Sequence, residues 1–332
     1  MAPRDGLETR SSDEPHPETE ERPFVSVVVP VYEDPAGIVT TLGVLATQTY
    51  PDDRHEVVVV DNGSSDNTPD MVGEIARVRD PVRLVVEPNG GSYAARNAGI
   101  ESARGSVLSF VDADMWVGPD WLERVVGRLA ETDAAYLACD VELPAPSGRQ
   151  SLAERYNRRT AFPVREYVEE WAFAPTCCLT VRREVVEDIG AFDDRLVSSG
   201  DREFGNRVAD AGYDLVFAED VTMTHPPRTT LSSLVGKAVR IGVGSCQVRR
   251  YHPERYGRPL HKLANPLTYT PPLPRSMASH VRGWDGVPLS RKLSFALLSW
   301  VLTLAKAVGA WREALGDRDR GGVTTTSEVG TE

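Results

Sequence analysis

The amino-acid sequence predicts an α/β fold in which a mainly parallel sheet is flanked by helices and followed by a helical C-terminal extension. From residue 24 to residue 141, short runs of β-branched residues alternate with segments of helical periodicity. The 332-residue chain, 41% hydrophobic and 26% charged, is long enough to bury a large core without covalent staples. Its four cysteines lack metal-ligand spacing, so we expect reduced, mostly buried thiols.

The predicted elements follow one another as strand and helix. Each apolar strand precedes a segment whose apolar residues recur every three or four positions. Such alternation predicts parallel strands joined by crossover helices. The predicted strands cover residues 25–31, 56–60, 82–86, 107–111, 136–141, 178–181 and 215–217, and the predicted helices cover 38–48, 71–78, 93–103, 119–129, 202–211 and 293–311.

Composition divides the chain into four parts. We predict a disordered acidic tail at 1–22, an α/β domain at 23–225, a basic helical extension at 226–316 and a second disordered tail at 317–332. The first tail has no apolar core, so we expect no signal peptide and a cytoplasmic protein. A Pro-Ala-Pro-Ser-Gly segment separates the α/β domain into two halves, 23–143 and 144–225.

Ligands of such sheets bind at the carboxyl ends of the strands, where this sequence concentrates polar residues. Asp61 and Asn62 follow the second strand and can accept hydrogen bonds from a base or ribose. A plain turn capped by Asp66 is the alternative. Gly91 precedes a helix that carries Arg96 in its first turns, and a helix N-terminus with an arginine suits a diphosphate.

Further acidic residues lie at two later positions. Asp112 and Asp114 follow a buried strand, where a divalent cation would resolve their repulsion; a solvated acidic turn is the alternative. Asp201 and Glu203 begin a helix, where they can serve as a general base with a supporting acid, or simply as capping residues. His225, before two prolines, is either a ligand or a structural histidine.

Taken in order, these segments resemble the inverting, nucleotide-sugar-dependent glycosyltransferases of family 2, which have the GT-A fold. The resemblance extends from residue 24 to about residue 225. It implies a nucleotide-binding half at 23–143, an acceptor half at 144–225, and metal-assisted single displacement from a UDP- or GDP-linked sugar to an acceptor hydroxyl. The matching segments are VVVPVYE at 27–33, DNGSSD at 61–66, the stretch 91–97, DAD at 112–114, and the stretch from FD at 192–193 to EF at 203–204.

The resemblance also implies roles for individual residues. Asp201 matches the catalytic base, with Glu203 as the alternative. Asp114 matches the direct metal ligand for Mn²⁺ or Mg²⁺, and Asp112 would reach the ribose or a metal-bound water. His225 stands where some members have a third metal or diphosphate ligand. The implied nucleotide-binding residues are Pro30, Val31, Tyr32, Glu33, Asp61, Gly91, Arg96 and Asp112.

Two positions depart from the family pattern, and two other functions compete with the resemblance. Tyr32 stands where asparagine is commoner, and Gly200 replaces a frequent glutamate before Asp201. No Gln-x-x-Arg-Trp motif follows, which argues against a processive polysaccharide synthase. A sugar nucleotidyltransferase would need a Gly-rich basic loop at residues 30–33, where none stands. A nucleotide-sugar-binding scaffold without turnover is the non-enzymatic alternative.

The C-terminal extension is strongly basic. Residues 228–292 carry twelve basic and two acidic side chains, a net charge of +10 in a chain of net −12. This asymmetry predicts an anionic partner, but the overall charge, sparse aromatics and missing recognition motifs argue against nucleic acid. We expect a membrane surface, bound through 228–311, and a lipid-linked or membrane-proximal glycan acceptor.

The apolar helix predicted at 293–311 also concerns the expected binding to a membrane surface. Its uninterrupted apolar part is shorter than the roughly 20 residues of a membrane span, and it carries two tryptophans. We therefore predict an interfacial helix and a peripheral protein on the inner face of the cell membrane. A helix packed against the protein itself is the alternative.

Overall fold

The computed structural model describes residues 22–145 and 148–320. Residues 1–21 of the tail predicted at 1–22, and residues 321–332 of the tail predicted at 317–332, lie outside the described residues. In the first half, strands and helices alternate as the sequence predicts. Their bounds are β1 Val25–Val31, α1 Pro35–Leu45, β2 His55–Asp61, α2 Thr68–Val78, β3 Val82–Val86, α3 Ser92–Ser102, β4 Val107–Phe110, β5 Trp116–Val117, α4 Trp121–Thr132 and β6 Tyr136–Glu142.

The second half contains more helix than the sequence analysis predicts, since helices of two turns give too few repeats to show a period. The last helix also extends to residue 320, beyond the end predicted for the extension. The bounds are α5 Leu152–Thr160, α6 Val164–Trp171, β7 Leu179–Arg182, α7 Arg183–Ile189, α8 Gly200–Asp210, β8 Leu215–Thr224, α9 Leu231–Tyr251, α10 Pro253–Tyr256, α11 Pro259–Leu263, α12 Pro274–His280 and α13 Leu289–Arg320.

The strands form one mixed eight-stranded sheet in the order β3-β2-β1-β4-β7-β6-β8-β5. Strands β3, β2, β1 and β4 are parallel, as are β6 and β8, whereas β7 runs antiparallel to both β4 and β6. Strand β5 pairs antiparallel with β8. Because β2, β1 and β4 are parallel, their carboxyl ends lie at one edge of the sheet, and the polar loops converge there.

Strand β8 is longer than the sequence predicts. The sequence analysis predicts only residues 215–217 as a strand. The strand instead continues to Thr224, with a register shift against β6 between Cys139 and Asp140. Asp220 stays exposed and pairs with arginines of α4. A bulge of this kind lets a strand accommodate charged residues without ending.

The core lies between the central strands and their flanking helices. Val27, Val28 and Val29 of β1 are fully buried, as are Val58 and Val59 of β2. Such unbroken runs are typical of parallel strands covered on both faces. All four cysteines are buried and free, which confirms the prediction of reduced thiols.

The C-terminal helix α13 packs on α9 through a close contact of the two helix backbones. A Cβ atom at Gly242 would lie 1.9 Å from the carbonyl oxygen of Lys306, and one at Gly309 would lie 2.1 Å from that of Val239. Only glycine allows two helices to approach this closely. An ion pair of 2.8 Å between Arg250 and Glu313 adds to the contact. Helix α13 is therefore part of the folded body.

This contact predicts opposite effects for two alanine substitutions in α9. Gly242→Ala should destabilise the protein by about 1–3 kcal/mol, because the methyl group forces α9 and α13 apart. Gly236→Ala should stabilise it by up to ~1 kcal/mol, since alanine favours helix and no described atom lies within 4 Å of the added Cβ. Denaturant unfolding measures both changes, and similar effects of the two substitutions would contradict the proposed helix contact.

Candidate active site

The loop after β1 is braced against the loop after β2. Pro30 and Val31 end β1, with Val31 buried, and Tyr32 is 58% exposed at the edge of the sheet. Glu33 adopts a φ of 49°, which turns its main chain towards residues 61–66. Its N–H donates to a serine hydroxyl there at 2.9 Å, and its carboxylate accepts from the next serine at 2.8 Å. The two predicted nucleotide-binding loops thus form one surface.

Asp61 has a buried carboxylate with an unused acceptor. Its side chain is nearly inaccessible, and Oδ2 accepts the N–H of Ser64 at 3.1 Å. Within the described part of the chain, Oδ1 is buried and has no hydrogen-bond partner. Buried polar atoms normally have partners, so this oxygen calls for a donor from a ligand. An N–H of a nucleotide base is such a donor.

Asn62 has a structural role that the sequence analysis did not foresee. Its amide nitrogen donates to the carbonyl oxygens of Glu87, at 3.3 Å, and Asn89, at 2.7 Å. Its amide oxygen accepts the N–H of Gly91 at 2.8 Å. Gly91 has a φ of 136°, a conformation that favours glycine. Asn62 therefore holds the turn before α3, and its side chain is engaged with the protein.

Arg96 of α3 is buried and binds the first carboxylate of the Asp-Ala-Asp motif. Its guanidinium donates to Asp112 at 2.6 Å and to the carbonyl oxygen of Ser92 at 3.0 Å. Among the described residues, its buried Nε has no partner. The ion pair places Asp112, which is still partly exposed, at the open edge of the sheet.

The same helix holds two further loops. The Tyr93 hydroxyl accepts the N–H groups of Gly200, at 2.9 Å, and Asp201, at 3.2 Å, and lies 3.5 Å from the Asp201 carboxylate. Asn97 exchanges two hydrogen bonds with the backbone of Phe192, at 2.9 and 3.1 Å. A Cβ at Gly200 would lie 2.7 Å from the Tyr93 ring. Glycine at this position, where the family often has glutamate, is thus required by the approach of Tyr93.

The two candidate bases have different environments. Burial raises the pKa of Asp201, although the N–H of Arg202 and the charge of Arg96 oppose the shift. Glu203 is 3% exposed, and both of its carboxylate oxygens bind the Arg207 guanidinium, at 2.7 and 3.0 Å. Asp201 therefore retains acceptor capacity, whereas Glu203 is committed to an ion pair within α8.

Asp114 and His225 lie opposite each other at the same edge of the sheet. The Nδ1 atom of His225 is 2.7 Å from the carbonyl oxygen of Pro226, which can only accept a hydrogen bond, so Nδ1 carries the proton. In the neutral ring, Nε2 then has a free lone pair, and it lies 3.7 Å from Asp114 Oδ1. A histidine that donates its other nitrogen to a carbonyl oxygen has the usual arrangement of a metal ligand.

The electrostatics of this pair fit a divalent cation. Burial raises the pKa of Asp114; His225 opposes this shift, and the carboxylates of Asp112 and Asp34 add to it. A cation would relieve that accumulation of negative charge. Across residues 22–145 and 148–320, no three His, Cys, Asp or Glu side chains form a complete cluster. Asp114 and His225 are therefore the two side chains here that could contribute to a cation site, and a cation bound there would need further oxygen ligands.

Basic residues of the extension also border the site. Lys237 of α9 lies 5.4 Å from the ring centroid of Phe162, whose ring is 4.9 Å from that of His225. Burial, with the charges of Arg228 and Arg240, lowers the pKa of Lys237 to about 8. Sequence reasoning assigned these residues to a membrane patch. Their position beside the site depends on the packing of α9 against α5 and α8.

Comparisons with known proteins agree with the fold and the motifs. Residues 26–190 match the family described as Glycosyl transferase family 2. Glycosyltransferase AglE of Haloferax volcanii is 40% identical over 227 residues, which cover 68% of this chain and 74% of that protein. The putative glycosyltransferase EpsH of Bacillus subtilis is 37% identical over 120 residues, 36% of this chain and 34% of that protein.

Solved structures show the same fold. The mannosyltransferase PcManGT of Pyrobaculum calidifontis, in complex with GDP-Man and Mn²⁺, has a TM-score of 0.60 at 22% identity, with 90% of this chain and 88% of that chain covered. S. aureus TarS in complex with UDP-GlcNAc has a TM-score of 0.52 at 18% identity, with 88% and 92% covered.

The fold is that of the GT-A glycosyltransferases. The chain belongs to glycosyl transferase family 2, as the resemblance implied. The alternatives of a sugar nucleotidyltransferase and of a scaffold without turnover have no support in these comparisons.

The contrast between Asp201 and Glu203 predicts opposite effects on stability. Because burial raises the folded-state pKa of Asp201, its ionised form disfavours folding once the pH rises through that pKa. Asp201→Asn should therefore raise the melting temperature at neutral pH. Glu203→Gln should lower it, because Arg207 loses an ionic partner. Thermal unfolding of the two variants provides the measurement, and a lower melting temperature for Asp201→Asn would contradict this account.

Proposed function

We propose that the protein is an inverting glycosyltransferase that moves a sugar from a UDP- or GDP-linked donor to a hydroxyl of a lipid-linked or membrane-proximal glycan. The observation that carries this proposal is the Asp201 carboxylate. It lies at the start of α8, held by Tyr93 on the same helix α3 that binds Asp112 through Arg96. A general base and the donor-binding carboxylates are thus fixed to one element.

The donor would bind along the carboxyl ends of β1, β2 and β4. Asp61 would accept a hydrogen bond from the base through its unpaired Oδ1. Glu33 and Asp112 would bind the ribose. Asp114 and His225 would hold Mn²⁺ or Mg²⁺, which as a Lewis acid neutralises charge on the leaving diphosphate. Arg228 and Lys237, beside His225, would add positive charge to the same group.

Asp201 would accept the proton of the acceptor hydroxyl. The hydroxyl oxygen then attacks the anomeric carbon from the face opposite the diphosphate; the new glycosidic bond forms as the bond to the diphosphate oxygen breaks. Configuration at the anomeric carbon inverts in this single displacement. Burial raises the pKa of Asp201, which makes its carboxylate a stronger base than an exposed aspartate.

The role of Asp201 can be tested by a substitution that keeps its shape. Asp201→Asn retains an acceptor for the N–H of Arg202, so the start of α8 should be unchanged. We expect near-normal donor binding and a fall in transfer rate of roughly 10²–10⁴, because proton acceptance is lost. Donor binding by calorimetry and initial rates of sugar transfer measure the two effects.

Glu203→Gln is the matched control for this experiment. Its turnover should fall little in protein that remains folded, since the Glu203 carboxylate is bound to Arg207. Loss of transfer in Glu203→Gln with retention in Asp201→Asn would identify Glu203 as the base. Retention in both variants would refute a base on α8.

The metal-binding role predicts a specific defect in Asp114→Asn. The amide removes one negative charge from the pair with His225 and is a weaker ligand for a hard cation. Mn²⁺-dependent affinity for the nucleotide sugar should fall, while the melting temperature without metal stays the same or rises. Calorimetric titrations with and without Mn²⁺ measure the affinity for the nucleotide sugar, and thermal unfolding without metal measures the melting temperature. An unchanged Mn²⁺-dependent affinity would exclude Asp114 as a ligand.

Helix α13 supports the proposal that the acceptor is close to a membrane. In the described residues, one helix, Leu289–Gly316, is long and apolar enough to cross a membrane by length and composition. A spanning position would separate it from α9, which it contacts backbone to backbone. Its outward face is apolar, with Leu293 66% exposed and Leu297 59% exposed. We therefore infer an interfacial helix and a peripheral protein on the cytoplasmic face of the membrane.

This orientation predicts which leucines contact lipid. The double variant Leu293→Ser/Leu297→Ser should bind anionic vesicles more weakly than the unaltered protein, because exposed apolar area is lost. The control Val39→Ser/Val78→Ser removes exposed apolar side chains from α1 and α2 and should not change binding. Binding should also weaken with salt, since charges are screened over about 8 Å at physiological ionic strength. Equal vesicle flotation of both double variants would contradict the interfacial position of α13.

A further inference from the structure

An arginine-lined cleft of about 390 Å³ lies outside the donor site. It is formed between α5, the loop before α13 and the first turn of α13. Gln150 is its other polar residue, and no carboxylate lines it. The arginines are Arg155, Arg158, Arg159, Arg282 and Arg291.

Three of these arginines are held in place by the protein. Arg159 donates to the carbonyl oxygen of Arg282 at 2.8 Å, and Arg282 donates to those of Ala161 and Phe162, at 3.0 and 2.6 Å. Arg158 pairs with Glu154 at 3.0 Å. Carbonyl oxygens position a guanidinium without neutralising its charge, so the cleft keeps most of its positive charge.

The other two arginines are not neutralised. Within the described part of the chain, the side chains of Arg155 and Arg291 form no ion pair, although both are only partly exposed. Like charges placed together disfavour folding unless an anion binds between them. Arginine is also the side chain best suited to phosphate, because its planar fork can donate two hydrogen bonds to one phosphate group.

The cleft adjoins the active site through the turn at Phe162. Arg282 binds the carbonyl oxygen of Phe162, and the Phe162 ring lies 4.9 Å from the ring of His225. Asn157, on the same helix as three cleft arginines, accepts the N–H of Arg228 at 2.8 Å. A ligand held in the cleft would therefore extend towards the reacting centre.

The cleft is also beside the helix that we place at the membrane. Arg291 belongs to the first turn of α13, whose outward face carries Leu293 and Leu297. The first turns of α13 are fixed to α5 by the contact of Phe295 with Tyr156, whose ring centroids are 5.6 Å apart. On one side the cleft thus adjoins the edge of the sheet that carries the candidate active site. On the other side it adjoins the exposed apolar face of α13.

We propose that this cleft binds the phosphate or diphosphate ester through which the acceptor glycan is joined to its lipid. The proposal rests on the proposed function, in which the acceptor is lipid-linked. The lipid would lie along the apolar face of α13, the ester between the arginines, and the glycan would extend past Phe162 to Asp201. The cleft is a subsite for the acceptor and is separate from the site for the donor diphosphate.

The experiment measures binding of geranyl diphosphate, geraniol and inorganic pyrophosphate by calorimetry in the absence of metal. The full chain should bind geranyl diphosphate and not geraniol. Arg155→Gln and Arg291→Gln should each weaken this binding about tenfold or more, the effect expected for lost hydrogen bonds to a charged group. The double control Arg77→Gln/Arg79→Gln, at exposed positions around the C-terminal end of α2, removes the same charge as the double variant Arg155→Gln/Arg291→Gln and should have no effect.

The donor site is monitored in the same preparations. Asp114→Asn should bind geranyl diphosphate as the unaltered protein does, and Arg155→Gln/Arg291→Gln should keep Mn²⁺-dependent binding of the nucleotide sugar. Failure of the unaltered protein to bind any nucleotide sugar would refute the proposed function. Normal nucleotide-sugar binding with no effect of the cleft variants on geranyl diphosphate would overturn the cleft proposal alone.

Two further outcomes would also overturn it. Binding of pyrophosphate without geranyl diphosphate would identify the cleft as a site for a free anion. If the double cleft variant lost flotation on phosphatidylglycerol vesicles but bound geranyl diphosphate normally, the arginines would recognise bulk phospholipid headgroups. Reduced affinity for geranyl diphosphate in the cleft variants, with the donor site intact, is the result that supports an acceptor subsite.

Discussion

The active site depends on helix α3. Three side chains from its first two turns each hold a different loop: Tyr93 binds the start of α8, Arg96 binds Asp112, and Asn97 binds the backbone of Phe192. Asp201, which we propose as the base, Asp112 and the loop before α8 are consequently fixed to one rigid element. Sites built in this way keep their geometry without help from the ligand.

The position of α3 depends in turn on the parallel strands around it. Asn62, at the end of β2, holds the turn at Gly91 from which α3 begins. The site is therefore a continuous chain of contacts from β2 through α3 to β4 and α8. Among the described residues, two buried atoms in this chain of contacts, Oδ1 of Asp61 and Nε of Arg96, have no hydrogen-bond partner, and such atoms are rare in folded proteins.

The C-terminal extension serves both the site and the membrane in our proposal. Helix α9 brings Lys237 to the ring of Phe162, and the contact at Gly242 attaches α13 to the same body. Four basic residues of the charged stretch thus lie in two different places: Arg228 and Lys237 are near His225, whereas Arg282 and Arg291 line the cleft between α5 and α13. In the proposal, the first pair faces the diphosphate of the donor and the second pair faces the ester of the acceptor.

The sequence by itself determined the α/β class, the strand ends that carry the site and the family, because these depend on local periodicity and on motifs in consecutive residues. It did not distinguish Asp201 from Glu203, which are two positions apart; only packing shows that Glu203 is bound to Arg207. The reversed strand β7, the bracing role of Asn62 and the arginine cleft were also decided by the tertiary structure. Each of them joins residues distant in the chain, and no local pattern records which distant residues will meet.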